Sequence, residues 1–190
     1  MHILCFGDSN TYGYDPRSCS GGRYSPEHRW VDLLAEKTGW KVCCLGENGR
    51  TVPTHPTQIE QVQRILAAHA AADLFAVMLG TNDLLQGAAA DQIAMQMDDF
   101  LQSILPHCRR ALLIAPPPMT YGDWVTTPWL LTESALLADA YRQLARRLGI
   151  DFADAVQWNV ELAYDGVHFS EAGHSAFAQC LQEFLETKPL

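Results

Sequence analysis

The sequence predicts an α/β fold in three layers, with helices on both faces of a central, five-stranded parallel sheet. Three observations lead there. Short apolar runs alternate with amphipathic segments about five times along the chain. The runs are apolar throughout, with little of the in–out alternation of a sheet that is wetted on one side. Glycine closes most of the early ones.

Taken in order, residues 2–6 (HILCF) read as a buried strand stopped by Gly7. Residues 29–38 (RWVDLLAEKT) read as a helix ended by Gly39, and 41–45 (KVCCL) as a second strand ended by Gly46. Over 57–71, Ile59, Val62, Ile65 and Leu66 share one helical face. Residues 74–79 (LFAVML) form a third strand before Gly80. A helix follows over 90–105, then a fourth strand over 111–115 and a helix over 132–148. Residues 150–153 read as a short fifth strand, and 171–186 as the last helix, with Ser170 a good N-cap. Repeats, linkers and low-complexity tracts are not seen.

A chain of 190 residues accommodates one domain, 1–190, with a sizeable core. The net charge is −9, from 22 acidic and 13 basic side chains, which argues against a nucleic-acid partner. The first residues lack the basic region of a signal peptide, and no apolar stretch approaches a membrane span. Six cysteines occur: Cys5, Cys19, Cys43, Cys44, Cys108 and Cys180. Without an export signal they read as reduced thiols in a cytoplasmic protein. No C-x-x-C spacing points to zinc.

Function in a parallel sheet gathers in the loops beyond the carboxyl ends of strands. Three of those loops are polar and contain glycine: GDSNTYG after residue 6, GENGRT after 45 and GTND after 79. The fourth carries Pro116-Pro117-Pro118. Ser9 sits where a strand end presents its hydroxyl, although Asp8, Ser9 and Asn10 are also ordinary helix caps. Asp165 and His168, three apart in a glycine-containing loop, have the residue types of a base and its orienting carboxylate, or of a capping Asp and a surface His. Asn82 has the amide to donate to an oxyanion, or the habit of forming a turn. Gly49 offers an unobstructed N–H or supplies a turn. Each signal is weak alone. Together they place a nucleophile, a base–acid pair and two donors on one sheet edge.

These four blocks resemble those of the SGNH, or GDSL-like, hydrolases, over essentially the whole chain and in order. FGDSNTYG, ENGRT, LGTND and DGVHFSEAGH carry the likeness. ILCFGDS, Arg29-Trp30, MLGTND, the proline triplet and DGVHF resemble the bacterial arylesterase branch, some of whose members transfer acyl groups. Asn10 departs from the leucine of the family's name. The oxyanion glycine is assigned to Gly49, with Gly46 the alternative.

The resemblance implies a flavodoxin-like sandwich, the SGNH hydrolase fold. It implies Ser9 as nucleophile, His168 as base and Asp165 as its partner, with the backbone N–H groups of Ser9 and Gly49 and the Asn82 amide as oxyanion hole. It implies no cofactor and no metal, a small-molecule ester as substrate, no membrane partner, and possible self-association. Hydrolysis or transfer of short acyl groups is the leading expectation. A carbohydrate O-deacetylase, a thioesterase or a lysophospholipase keeps the same triad. A non-catalytic flavodoxin-like module lacks a phosphate-binding glycine motif to support it. Asp8, Asn10, Tyr14, Trp124 and Trp129 are expected at the substrate, with Tyr121 and Trp158 as further wall candidates from the loops around 12–28 and 116–131. Arg29 and Arg50 are read as loop braces, and His174 as an ordinary surface or core histidine.

Overall fold

The computed structural model describes residues 1–18 and 20–188. Five parallel strands form one sheet in the order β2-β1-β3-β4-β5. They are β1 (His2–Gly7), β2 (Lys41–Gly46), β3 (Leu74–Met78), β4 (Ala111–Ala115) and β5 (Asp151–Asp154). Among the described residues seven α-helices accompany them: α1 (Ser9–Tyr12), α2 (Trp30–Thr38), α3 (Pro56–Ala68), α4 (Thr81–Leu85), α5 (Ala90–Ile104), α6 (Pro128–Leu148) and α7 (Glu171–Glu186).

Alternate residues of each strand face opposite layers. Leu4 and Phe6, Phe75 and Val77, and Leu113 pack with α3, α5 and α6. Ile3 and Cys5, Leu74 and Ala76, and Leu112 pack with α2 and α7. The three inner strands are buried along their length, apart from the first residue of β1. The edge strand β2 is only half-buried, which its apolar run did not announce.

Most predicted elements lie within one or two residues of those observed. Two differences matter. Helix α6 begins at Pro128 rather than at 132, because Pro128 supplies the fixed φ of a first helical residue and Thr127 is its extended N-cap. Two short helices, α1 and α4, start directly in the polar loops after β1 and β3.

Cys5, Cys43, Cys44, Cys108 and Cys180 are free thiols; Cys19 lies outside the described residues. Among the described residues no helix is long and apolar enough to cross a membrane.

The strand order sets the place of the site. The chain leaving β1 runs to α2 on one face, and the chain leaving β3 runs to α5 on the other. A crevice opens where neighbouring strands send their connections opposite ways. Beneath it, Trp30 is 1% exposed, and its indole N–H donates to the carbonyl of Asn10 at 2.9 Å. The backbone N–H of Trp30 donates to His174 Nδ1 at 3.4 Å. That leaves the proton of a neutral imidazole on Nε2.

Burial first, and the nearby Arg29 charge second, push the His174 pKa down from 6.5 to about 3. Between those values the unfolded chain takes up a proton that the folded chain refuses, so acidification costs stability. Asp8 works the other way: burial raises its pKa from 3.8 to about 6, so its penalty is relieved by acid. The urea midpoint should therefore fall less between about pH 7 and about pH 4 in His174→Gln than in the parent, Asp8 being common to both. Parallel curves would show that His174 is not the acid-sensitive group.

Candidate active site

The Ser9 loop is built for close approach. Asp8 caps α1, its carboxylate accepting from the Asn10 N–H at 2.9 Å. Ser9 is the first helical residue, so its own N–H belongs to the turn that a helix start leaves unpaired. Gly46, at the end of β2, lets the backbone of α1 rest on the sheet. A Cβ there would stand 2.2 Å from the Tyr12 nitrogen. Gly46 thus has a spacing role.

Asn10 ties this loop to the one that carries His168. Its side-chain N–H donates to the Val167 carbonyl at 3.1 Å, and its side-chain oxygen accepts from the Phe169 N–H at 2.9 Å. The two bonds bracket His168. The histidine ring then reaches Ser9, with Nε2 3.1 Å from Oγ. Its other nitrogen, Nδ1, lies 2.6 Å from Asp165 Oδ2. Asp165 Oδ1 accepts from the backbone N–H groups of Val167 and His168, both at 2.9 Å. With Nδ1 bearing a proton toward Asp165, Nε2 is bare and accepts from the Ser9 hydroxyl.

Burial alone would raise the Asp165 pKa. The hydrogen bonds from the His168 ring and from the two backbone N–H groups outweigh it, so the carboxyl sits below its ordinary value. The turn that allows this has Gly166 at φ +80°, and a Cβ there would meet the Thr120 carbonyl oxygen at 2.1 Å. The 116–127 segment is stitched to it: Thr120 N–H donates to Gly166 O and Trp124 N–H to Asp165 O, each at 3.1 Å. Trp124 of this segment and Tyr14 of the segment after α1 flank His168, their ring centres 5.0 and 4.6 Å from the imidazole.

The remaining loops meet each other. The Asn82 side-chain N–H donates to the Arg50 carbonyl at 3.0 Å, and its second amide hydrogen has no partner among the described residues. Val52 N–H donates to both Asp83 oxygens at 3.2 Å. Burial raises the Asp83 pKa, against the pull of those bonds. Arg50 braces the loop, donating to Gly7 O at 2.8 Å and to Leu45 O, pairing with Glu47 at 2.6 Å and covering the Phe6 ring. Gly49, exposed at φ +74°, takes a conformation that suits glycine and has open space above its Cα. A hollow of about 260 Å³ runs from Gly49 towards Gln61 and Ile65 of α3. Its walls include neither Ser9 nor His168.

The structure therefore brings Ser9, Asp165 and His168 into one hydrogen-bonded run, ringed by Tyr14 and Trp124. Asp8 and Asn10, expected at the substrate, are buried and also bond the framework: Asp8 Oδ1 accepts from the Asn10 N–H, and the Asn10 side chain is engaged by Val167 and Phe169. Trp129 lies in the first turn of α6, 41% exposed, with no ring contact to His168 among the described residues. Trp158 packs on Phe177 in the core, and Tyr121 is exposed. Arg29 lies 2.7 Å from Asp32 as a brace. The bracing by Asp83 was missed; its only sequence signal was a carboxylate beside Asn82.

A family model described as the GDSL-like Lipase/Acylhydrolase family matches residues 5–176. A comparison with curated protein sequences gives no match. Among solved structures, the native aryl esterase of M. smegmatis superposes with a TM-score of 0.85 at 28% identity, covering 98% of each chain. A carbohydrate acetylesterase from Sinorhizobium meliloti superposes with a TM-score of 0.83 at 25% identity, also over 98% of each chain.

The Asn10 bracket yields a direct test. In Asn10→Ala, Ser9 should react with a fluorophosphonate roughly 100-fold more slowly, the cost of a displacement of about 1 Å at a reacting pair. Labelling at the parent rate, in protein with unchanged circular dichroism, would show that the bracket does not position His168.

Proposed function

The chain belongs to the GDSL-like lipase/acylhydrolase family, and from that premise we propose that it cleaves or transfers short acyl groups of small carboxylic esters through a Ser9–His168–Asp165 triad. The observation that carries this reading is the pair of separations along that run, 3.1 Å from serine to imidazole and 2.6 Å from imidazole to carboxylate. A serine hydroxyl is a weak nucleophile until a base takes its proton, and the base needs a fixed tautomer to do so.

In the proposed cycle Ser9 Oγ attacks the ester carbonyl while His168 Nε2 takes its proton. Asp165 holds the Nδ1 proton and stabilises the imidazolium. The backbone N–H of Ser9, the backbone N–H of Gly49 and the free amide hydrogen of Asn82 meet the oxyanion. His168 returns the proton to the departing alkoxide, leaving an acyl group on Ser9. Water then repeats the attack with the same base, and an alcohol in its place completes a transfer. These steps ask nothing of a metal or an organic cofactor.

A second reading, a carbohydrate O-deacetylase, is favoured by the likeness to the Sinorhizobium acetylesterase and by two aromatic rings beside His168. Aromatic faces suit an aryl leaving group and the apolar face of a sugar alike. A panel of p-nitrophenyl esters of rising chain length, acetylated sugars, acyl thioesters and lysophospholipids separates the readings. Under the leading one, p-nitrophenyl acetate is turned over fastest and longer acyl chains progressively slower. Faster release of acetate from sugars would favour the second. Activity confined to thioesters or lysophospholipids would replace both.

The roles predict a ranking of variants. Ser9→Ala should lose on the order of a millionfold in kcat on p-nitrophenyl acetate, and should trap no acyl group by mass spectrometry. Asn82→Ala should lose about 100- to 1000-fold while still acylating Ser9. Substantial turnover by Ser9→Ala would overturn the assignment of the nucleophile.

A further inference from the structure

The opposite end of the sheet carries a second cluster of chemically capable side chains. His2 opens β1, Cys43 lies in β2, and His69 caps the end of α3. These residues are far apart in the chain, and no spacing linked them. In the fold, one donor atom from each lies within 4.8 Å of the other two, and all three residues are half-buried. Cys43 Sγ stands 3.5 Å from His2 Nε2. The His2 and His69 rings meet edge to face with centres 5.8 Å apart.

All three backbones are pinned. His2 N–H donates to Asp73 Oδ2 at 2.7 Å, and Asp73 N–H donates back to the His2 carbonyl at 2.8 Å. Cys43 is held in register with Leu4. The His69 N–H bonds to the carbonyls of Ile65 and Leu66, and its carbonyl accepts from Ala72 at 2.7 Å. Such anchoring places ligand atoms better than a free loop does.

We propose that His2, Cys43 and His69 form a zinc site that clips the amino ends of β1 and β2 to the end of α3. Two imidazoles and a thiolate are a soft-to-borderline donor set, suited to zinc and not to calcium or magnesium, which take oxygen ligands. Tetrahedral bonds of about 2.0–2.3 Å put neighbouring donors roughly 3.3–3.6 Å apart. The sulfur and the His2 nitrogen already stand at that separation, and ring rotation closes the rest. Zinc displaces the Cys43 thiol proton to solvent, and water takes the fourth position. The Asp73 carboxylate at the His2 backbone favours a cation there, and the neighbouring Lys41 opposes it.

The six residues of β1 separate this cluster from Ser9 by about 20 Å. Metal binding should therefore change stability and leave ester turnover alone.

Cobalt(II) titration of the full chain, purified without a histidine tag, tests the site. We expect tetrahedral visible bands and a thiolate-to-cobalt band in the near ultraviolet, saturating at one equivalent and displaced by zinc. Cys43→Ser should abolish the charge-transfer band, and His69→Gln should weaken binding roughly 10-fold or more. Cys108→Ser should bind as the parent does. One equivalent of zinc should raise the melting temperature of the parent and not that of Cys43→Ser. Unchanged turnover of p-nitrophenyl acetate establishes that the variants are folded. A titration without a charge-transfer band, or a band that survives in Cys43→Ser, would overturn the proposal and leave only a thiol–imidazole hydrogen bond.

Discussion

The bracket formed by Asn10 is the constraint on which the rest of the site depends. One side-chain amide bonds the carbonyl before His168 and the N–H after it, 157 and 159 residues along the chain. A single planar group thus fixes the backbone on both sides of the imidazole, and it grows from the residue next to Ser9. Separation and orientation are set together. All of these atoms are buried, where a neutral hydrogen bond is electrostatically stronger than in water and an unmade one is costly. The same residue's backbone carbonyl is held from below by the Trp30 indole. The serine loop, the histidine loop and helix α2 therefore converge on one asparagine.

Bringing charged groups into so dry a place costs stability elsewhere. Asp8, Asp83 and Asp165 are all buried at the sheet edge, yet their environments differ. Asp165 gains a ring N–H and two backbone N–H groups and stays easy to ionise. Asp8 and Asp83 have fewer compensating donors, and burial prevails in both. One carboxylate is tuned to hold a charge beside the imidazole. The other two serve as hydrogen-bond hubs, for α1 and for the Arg50–Val52 stretch. Departures from ordinary burial rules of this kind are expected where structure is held for chemistry.

Much of this was legible in the sequence, and the illegible parts share a cause. Strands and long helices announce themselves by local pattern; 111–115 and 171–186 match to the residue. The polar loops at the strand ends were legible for the same reason. Local pattern could not show α1 and α4, because helices of four and five residues have no periodicity to read. It could not tell Trp158, which packs on Phe177, from Trp124, which flanks His168, since neither lies in a periodic segment that would place its ring. Nor could it assign Asn10, whose partners lie at the other end of the chain, or assemble His2, Cys43 and His69 from three separate elements. What failed was tertiary proximity.

The division between frame and loops bears on what such a site can be asked to do. Ser9, His168 and Asp165 hang from strand ends, from a helix start and from a turn closed by Gly166, none of which has room to vary. A Cβ on Gly46 or Gly166 would collide with backbone. The rings beside His168 come instead from the two long connections, Tyr14 from the segment after α1 and Trp124 from the segment before α6. Changes of sequence there can reshape the approach to the serine without disturbing the hydrogen-bonded run beneath it. An aryl esterase and a carbohydrate acetylesterase superpose on this chain almost equally well. A shared sheet edge thus accommodates connections that differ, and in this chain it is these two connections that bring rings to His168.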